Sequence, residues 1–350
     1  MAKPIAGLDI GTSAVKLVQL QLTRHGAKLL ALGVAPLPPE AIVEDTVMDT
    51  HVVLEAIQAA MRMAKIKVKD VVIAIPTRTI IMKTIRLPKM ASEELSRSIV
   101  WEAEQYIPFP IEEVVLDFQV VNPEDPTTKQ TEVLLIAAKK DKVNSHLSLI
   151  HDAGLNPVIL DIDAFALSNC YELNAEEVVE ENPIGFIEIG AGLTNINVVK
   201  KGIPQFTRGL SLGGSYFTKA IQKAFNLNFE QAERLKKGED SGEFKGLDIS
   251  PVINPILDDL LGEIQRSLVH YRTTTGETGI AKVILSGGSA KISGIDQIFS
   301  EKLGVPVEII NPLRKVEINS RLFDVEQLQK MAPMLTVGIG LAIRKVGDRQ

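Results

Sequence analysis

An apolar strand ending in an acid, an apolar residue and a glycine, then turning through small residues into a second strand, occurs at Gly7-Leu-Asp-Ile-Gly-Thr-Ser-Ala-Val-Lys16. The same order returns at Gly185-Phe-Ile-Glu-Ile-Gly-Ala-Gly-Leu-Thr-Asn-Ile-Asn197. A chain that repeats such a hairpin is constrained to fold as two related lobes, each opening on a strand that stops at a glycine bend. Backbone N–H groups converge on an anion only where small side chains let the main chain come close. Gly11, Thr12 and Ser13 in the first bend, and Gly190 and Gly192 in the second, meet that need, so the pair reads as a two-lobed phosphate clamp. The hydroxyls of Thr12, Ser13 and Thr194 add donors, and Lys16 adds positive potential. Asp9 and Glu188, at the mouths of the hairpins, suit a hydrated Mg²⁺ or the orientation of a water. That ion keeps several waters and binds through one or two carboxylates plus phosphates.

Bulk properties narrow the class. A chain of 350 residues with 45% hydrophobic and 23% charged content has material for about two domains, each with its own core. The net charge of −6 argues against a broad basic surface for nucleic acid. One cysteine, Cys170, rules out an intrachain disulfide framework or a multi-cysteine metal site, fits a reducing compartment, and is expected in the core. The start, Met1-Ala-Lys-Pro-Ile-Ala6, has no charged-then-apolar leader, and no run approaches the roughly twenty apolar residues of a membrane span. A soluble cytoplasmic protein is expected.

Along the chain, apolar runs broken by Gly11, Gly26 and Gly33 predict a three-stranded meander from Ile5 to about Val34. A helix over His51 to Lys65 and a buried strand over Val71 to Ile75 follow. Beyond Pro76 the pattern changes to a strand to Leu87, a helix from Ser92 to about Tyr106, a hairpin from Val114 to Ala138 around Pro123 to Lys129, and a helix from Asp141 to Ala153. Residues 78–156 are therefore expected to form an inserted subdomain. Residues 1–77, 157–183 and 331–350 are assigned to the first lobe, and 184–330 to the second, with a helical part at about 215–280. Between the lobes, Asn174 to Pro183 reads as an acidic linker, and Leu235 to Lys245 as a solvated loop. A helix is expected from about Ile256 to Tyr271, a strand over Lys282 to Ser286, and a short core helix over Met334 to Arg344.

Two further glycine motifs follow the hairpins in order: Leu212-Gly213-Gly214 at a helix start and Leu285-Ser-Gly287-Gly288-Ser289-Ala-Lys291 after a strand. Neither a Walker A loop nor an uninterrupted dinucleotide Gly-x-Gly-x-x-Gly pattern is present. Taken together, the four motifs resemble those of the actin, sugar-kinase and chaperone ATPase superfamily. The resemblance implies an α/β, ribonuclease H-like two-lobed ATPase fold that binds ATP with Mg²⁺. By that match the hairpins Gly11 to Lys16 and Gly190 to Asn195 hold phosphates, Ser286 to Ser289 serves adenosine, Gly214 lies under ribose or phosphates, and Lys291 lies near the base. Glu263 and Arg266, in Glu263-Ile-Gln-Arg-Ser-Leu268, would meet the nucleoside, although their spacing equally fits an ion pair on a helix surface.

A closer resemblance covers nearly the whole chain. Gly7 to Lys16, Glu102-Ala-Glu-Gln-Tyr-Ile-Pro-Phe-Pro110 with Leu116-Asp-Phe118, Thr194 to Asn197, Arg208 to Gly214 and Glu263 to Tyr271 are similar to the PilM family of actin-like proteins of type IV pilus assembly. The resemblance implies an FtsA-type inserted α+β subdomain and a scaffold at the inner-membrane platform. It also implies a partner, the short cytoplasmic N-terminal peptide of a PilN-like membrane protein, with other platform or motor proteins beyond it. FtsA typically adds a C-terminal amphipathic helix, whereas this sequence ends Ile343-Arg-Lys-Val-Gly-Asp-Arg-Gln350. Tyr106, Ile107 and Phe109, with Trp101 and Phe118 beside them, are candidate walls for that peptide; for Trp101 and Phe118 a place in the subdomain core is favoured. Glu188 stands where the superfamily usually places Asp, so slow or partner-dependent hydrolysis is expected. A filament-forming protein resembling FtsA or MreB, and a small-molecule kinase or fast ATPase, stay open as alternatives.

Overall fold

The computed structural model describes residues 4–122, 130–175, 181–239, 242, 244 and 246–347. The chain opens with the meander β1 (Ala6–Ile10), β2 (Ala14–Thr23) and β3 (Gly26–Pro36), then a small hairpin, β4 (Ile42–Val43) and β5 (Thr46–Val47). Helix α1 (Thr50–Ala64) starts where Asp49 accepts the N–H of Val52 at 3.1 Å and stops where Lys65 turns left-handed at φ 51°. Its buried Val53, Ala56, Ile57 and Ala60 recur at helical spacing and lie against the first sheet. Each large aliphatic side chain buried in this way contributes about 1.5–3 kcal/mol. Strand β6 (Asp70–Ile75) returns parallel to β1.

A single 3-10 turn at Thr77–Thr79 leads into the inserted unit: β7 (Ile80–Pro88), α2 (Ser92–Ala103), β8 (Val114–Asn122), β9 (Gln130–Lys139) and α3 (Lys140–Asp152). Its sheet has the order β7-β9-β8, wholly antiparallel, and packs α2 onto one face. The expected hairpin tip, Pro123 to Lys129, lies outside the described residues. Strand β10 (Asn156–Ile162) then joins β6 in parallel, and α4 (Asp163–Asn174) follows at once.

The second half repeats the first. Strands β11 (Ile184–Ile189), β12 (Thr194–Lys200) and β13 (Ile203–Leu210) form a second meander, followed by α5 (Gly214–Phe225), α6 (Phe229–Lys236), α7 (Ser250–Thr275) and β14 (Lys282–Ser286), parallel to β11. Helix α8 (Ile295–Leu303), β15 (Val307–Ile309), β16 (Val316–Glu317), α9 (Val325–Met331) and α10 (Thr336–Ala342) complete the chain. The sheets run β10-β6-β1-β2-β3-β16 and β13-β12-β11-β14-β15. Each therefore sets two parallel strands on the β1 or β11 side of an antiparallel meander, and the first sheet adds β16 at its far edge, parallel to β3.

Helices α4 and α10 lie between the two sheets and share one core with both, including Val18, Leu29, Cys170, Phe186, Ile284 and Ile339. Cys170 is buried there, as expected. Three expectations about elements change. Helix α7 starts six residues before the expected Ile256, because Pro251 sits in its first turn, where no N–H is needed, and Pro255 is accommodated inside it. The stretch expected as a solvated loop contributes Leu235 and Phe244 to the second core, while parts of it and of the acidic linker lie outside the described residues. The last helix is shorter than Met334 to Arg344, its start taken by a 3-10 turn at Ala332–Leu335.

Candidate functional site

In open sheets with parallel strands, ligands bind beyond the carboxyl ends of those strands. Here β1, β6 and β10 of one sheet and β11 and β14 of the other all end at one crevice, a cavity of about 770 Å³. Its walls include Asp9, Gly11 to Ser13, Lys16, Asp163, Glu188, Gly190, Asn195, Gly287 to Ser289 and Lys291.

The two hairpins are equivalent in register. Asp9 pairs with Lys16 across one and Glu188 with Asn195 across the other. Each bend closes with the same bond, from Gly11 N–H to the Ala14 carbonyl at 3.1 Å and from Gly190 N–H to the Leu193 carbonyl at 2.9 Å. Thr12, Ser13 and Ala191 lie in these bends and line the cavity. The bends also touch: Gly192 N–H donates to Thr12 Oγ1 at 2.9 Å, joining the lobes directly.

Behind the bends is a cluster of charge. Lys16, only 9% exposed, donates to Asp9 Oδ2 at 2.8 Å. Burial and the nearby Asp9 push the Glu188 carboxyl above the usual range, against the opposing pull of Asn195 and Lys16. Asn195 Nδ2 bridges two acids, donating to Glu188 Oε2 at 3.1 Å and to Asp163 Oδ2 at 3.0 Å, while its buried Oδ1 has no partner. Asp163 was not foreseen from sequence. As the first residue of α4 it accepts from the backbone N–H groups of Thr77 at 3.0 Å and Ala164 at 2.6 Å, and from the Thr77 hydroxyl. An acid at the junction of β10 and α4 was the available signal, once β10 is seen to lie beside β6.

Burial and the Glu188 charge push Asp163 up to about 8, more than the bonds from Thr77 and Ala164 pull it down. A raised carboxyl holds its proton more tightly in the folded than in the unfolded chain. Its contribution to stability is therefore full below the ordinary value of 3.8 and is lost as pH rises through about 8. Asp163→Asn is expected to flatten the fall in stability over that window, which urea denaturation at a series of pH values measures. Parallel profiles for variant and wild type would contradict the assignment.

The remaining expected residues divide. Gly287, at φ 87°, stands where an added Cβ would lie 2.7 Å from the Ile189 carbonyl carbon, so only glycine lets the end of β14 approach the second hairpin. Gly288, Ser289 and Lys291 line the cavity, the last in an ion pair with Glu239 at 3.1 Å. Gly213 and Gly214 are buried behind the second bend. Gly214 N–H donates to the Gly190 carbonyl at 2.8 Å, so this pair supports the bend and does not itself line the cavity. Thr194 is likewise committed, its hydroxyl donating to the Leu212 carbonyl at 2.6 Å.

Of the two readings of Glu263 and Arg266, the ion pair on a helix surface is the one formed, and the expected place beside the nucleoside is corrected. They lie off the cavity wall and pair with each other on the α7 surface, with Arg208 Nη2 3.6 Å from Glu263 Oε2. The helix on that wall is α6, which contributes Glu233 and Lys236, with Lys237 at its C-cap. Lys236 Nζ donates to the Gly214 carbonyl at 3.2 Å and to Thr218 Oγ1 at 2.9 Å, tying α6 to the start of α5.

In the inserted unit, Ile107 is 6% exposed and belongs to the core, which corrects its expected place on a binding wall. Phe109 is half-buried, with Lys139 Nζ 3.9 Å above its ring. Phe118 is also half-buried against the core, whereas Trp101 is 72% exposed and Tyr106 40% exposed, so Trp101 is not the core residue favoured from sequence.

The family model described as type IV pilus assembly protein PilM matches residues 7–346. The chain belongs to the PilM family. A solved PilM-PilN type IV pilus biogenesis complex contains a chain 33% identical to this one, covering 99% of this chain and 100% of that chain, with a TM-score of 0.84. Cell division protein FtsA of Streptococcus pneumoniae is 24% identical over 94% of this chain and 80% of its own length. MreB 5 of Spiroplasma citri, solved bound to AMPPNP, is 13% identical, with a TM-score of 0.55 over 97% of this chain and 95% of that chain. This PilM family member thus has the actin-like α/β fold. Among its described residues no helix is long and apolar enough to cross a membrane.

Proposed function

We propose that this PilM family member binds Mg·ATP between its two hairpins and serves, in the cytoplasm, as a nucleotide-regulated scaffold of the pilus inner-membrane platform. The observation that carries the reading is the pair of register-equivalent bends meeting at Thr12 and Gly192 above Asp9, Lys16 and Glu188. The donor set fits the cofactor. The bends and Lys16 suit phosphate, and Asp9 and Glu188 suit the water shell of Mg²⁺. Glu233, Lys237, Ser289 and Lys291 stand on the wall left for the nucleoside. The ion would neutralise phosphate charge. Asn195 holds Asp163 and Glu188 in place beside the phosphate bends. An MreB that shares the fold was itself solved bound to AMPPNP, in keeping with a nucleotide as the ligand. Titration calorimetry with Mg·ATP is expected to show one site with Kd in the micromolar range, about −8 kcal/mol. No heat at millimolar nucleotide would contradict the reading.

The partner in this reading is the cytoplasmic N-terminal peptide of a PilN-like protein, taken by the inserted unit, where β8 is an edge strand with no second neighbouring strand among the described residues. A relative matched over the whole of its solved chain, in a PilM-PilN complex, supports it. Fluorescence anisotropy with that peptide is expected to show about a tenfold or greater loss when Trp101 and Tyr106 are both changed to Ala, and a smaller one for Phe109→Ala. Full affinity in the double variant would move the peptide elsewhere.

A further inference from the structure

The turn at Thr77–Thr79 lies at the root of the inserted unit, and through Thr77 it holds Asp163 at the cleft. The next residue, Arg78, leaves its own lobe. Its Nη1 donates to Ser211 Oγ at 2.9 Å, just beyond β13 of the second lobe and just before the Leu212-Gly213-Gly214 turn that supports the second bend. Its Nε lies 4.0 Å from Asp45 Oδ2, whose side chain is buried on the first-lobe side of the cavity. Its aliphatic stem lies flat on Gly209, where an added Cβ would come within 2.8 Å of Cδ and closer still to Cγ. A guanidinium with separate donors can hold a carboxylate in one lobe and a hydroxyl in the other, and any side chain at position 209 would lift the stem away.

We propose that Arg78 is a positioning residue, an interlobe strut that holds the cleft closed and slows release of a bound nucleotide. The inference rests on the nucleotide reading only for its kinetic part. The closure itself belongs to the protein alone. The Thr12–Gly192 contact joins the lobes at the bends, and the strut joins them at the opposite flank of the second meander. With its side chain 29% exposed, Arg78 is partly screened, so the effect is set between that of a surface pair and that of a buried one.

The test uses the full chain with spin labels at Glu55→Cys on α1 and Lys219→Cys on α5, both exposed. Cys170 is buried with its thiol pushed up by burial, and it does not compete for label. Pulsed dipolar distances without nucleotide are expected to lengthen and broaden in Arg78→Ala and Ser211→Ala, and to stay as in wild type in Ser211→Thr, which keeps the acceptor. Release of a fluorescent ATP analogue is expected to be about three- to tenfold faster in the first two and unchanged in the third. Gly209→Ala should behave as Arg78→Ala with the arginine intact. Unchanged distances in both Arg78→Ala and Ser211→Ala would overturn the strut, whether or not nucleotide binds. A wild type that binds no analogue would count against the nucleotide reading, leaving the distances to decide the strut.

Discussion

Lys16→Ala is expected to weaken Mg·ATP binding by at least about a hundredfold, close to 3 kcal/mol, and to lower folding stability at the same time. Lys16 lies almost buried between two acids, bonded to Asp9 and lowering the pKa of Glu188. Deleting it leaves two poorly hydrated carboxylates without their cation, and removing one partner of a buried pair costs more than the pair itself is worth. Urea denaturation and calorimetry read the two effects separately. Adding Asp9→Asn should recover part of the stability, since one of the two uncompensated charges is then gone, but none of the affinity, since phosphate still lacks its cation. Wild-type affinity in Lys16→Ala would show that phosphate is held without this residue.

Gly340→Ala is expected to be the most disruptive single methyl in the molecule. Gly340 lies in α10 against the backbone of α4. An added Cβ would stand 2.5 Å from the Ala166 carbonyl carbon and 3.0 Å from its Cα, with the oxygen nearer still. Backbone cannot rotate out of the way as a side chain can, so α10 must move off α4 in the core shared by both sheets. A loss of about 3 kcal/mol or more, or failure to fold, is expected, at the upper end of what overpacking costs. Gly338→Ala is the control. Its added Cβ would meet a Val18 methyl at 3.1 Å, which a side-chain shift can relieve, and a loss under about 1.5 kcal/mol is expected. Thermal melts of the two compare them directly, and equal melting temperatures would contradict the close packing of α10 on α4.

The parts of the molecule written in local pattern were legible before the structure. Gly11, Gly190 and Gly287 mark bends where backbone must come close, and the alternation around them gives two meanders whose opening hairpins agree in register residue for residue. What depends on distant neighbours was not. Asp163 reads as an ordinary acid in a helix's first turn until β10 is placed beside β6, which brings it to the carboxyl ends where Asp9 already stands. Glu263 and Arg266 resemble a nucleoside contact by family match and equally fit a surface ion pair; they form the pair on α7, and α6 lies on the cavity wall. Glu230, Glu233 and Lys236 share one face of α6, with Lys237 at its C-cap, and could have suggested it. Ile107 and Trp101 exchanged their expected places for a related reason. Composition makes both apolar, but only packing of α2 on its sheet decides that Ile99, Ala103 and Ile107 point inward and Trp101 outward.

A structure of the protein with Mg²⁺ and a non-hydrolysable ATP analogue tests the account at its centre. A triphosphate is expected between residues 11–13 and 190–192, with Lys16 on a phosphate oxygen and the metal's waters on Asp9 and Glu188. An analogue bound elsewhere, or no analogue at millimolar concentration with the bends still closed on each other, would contradict it.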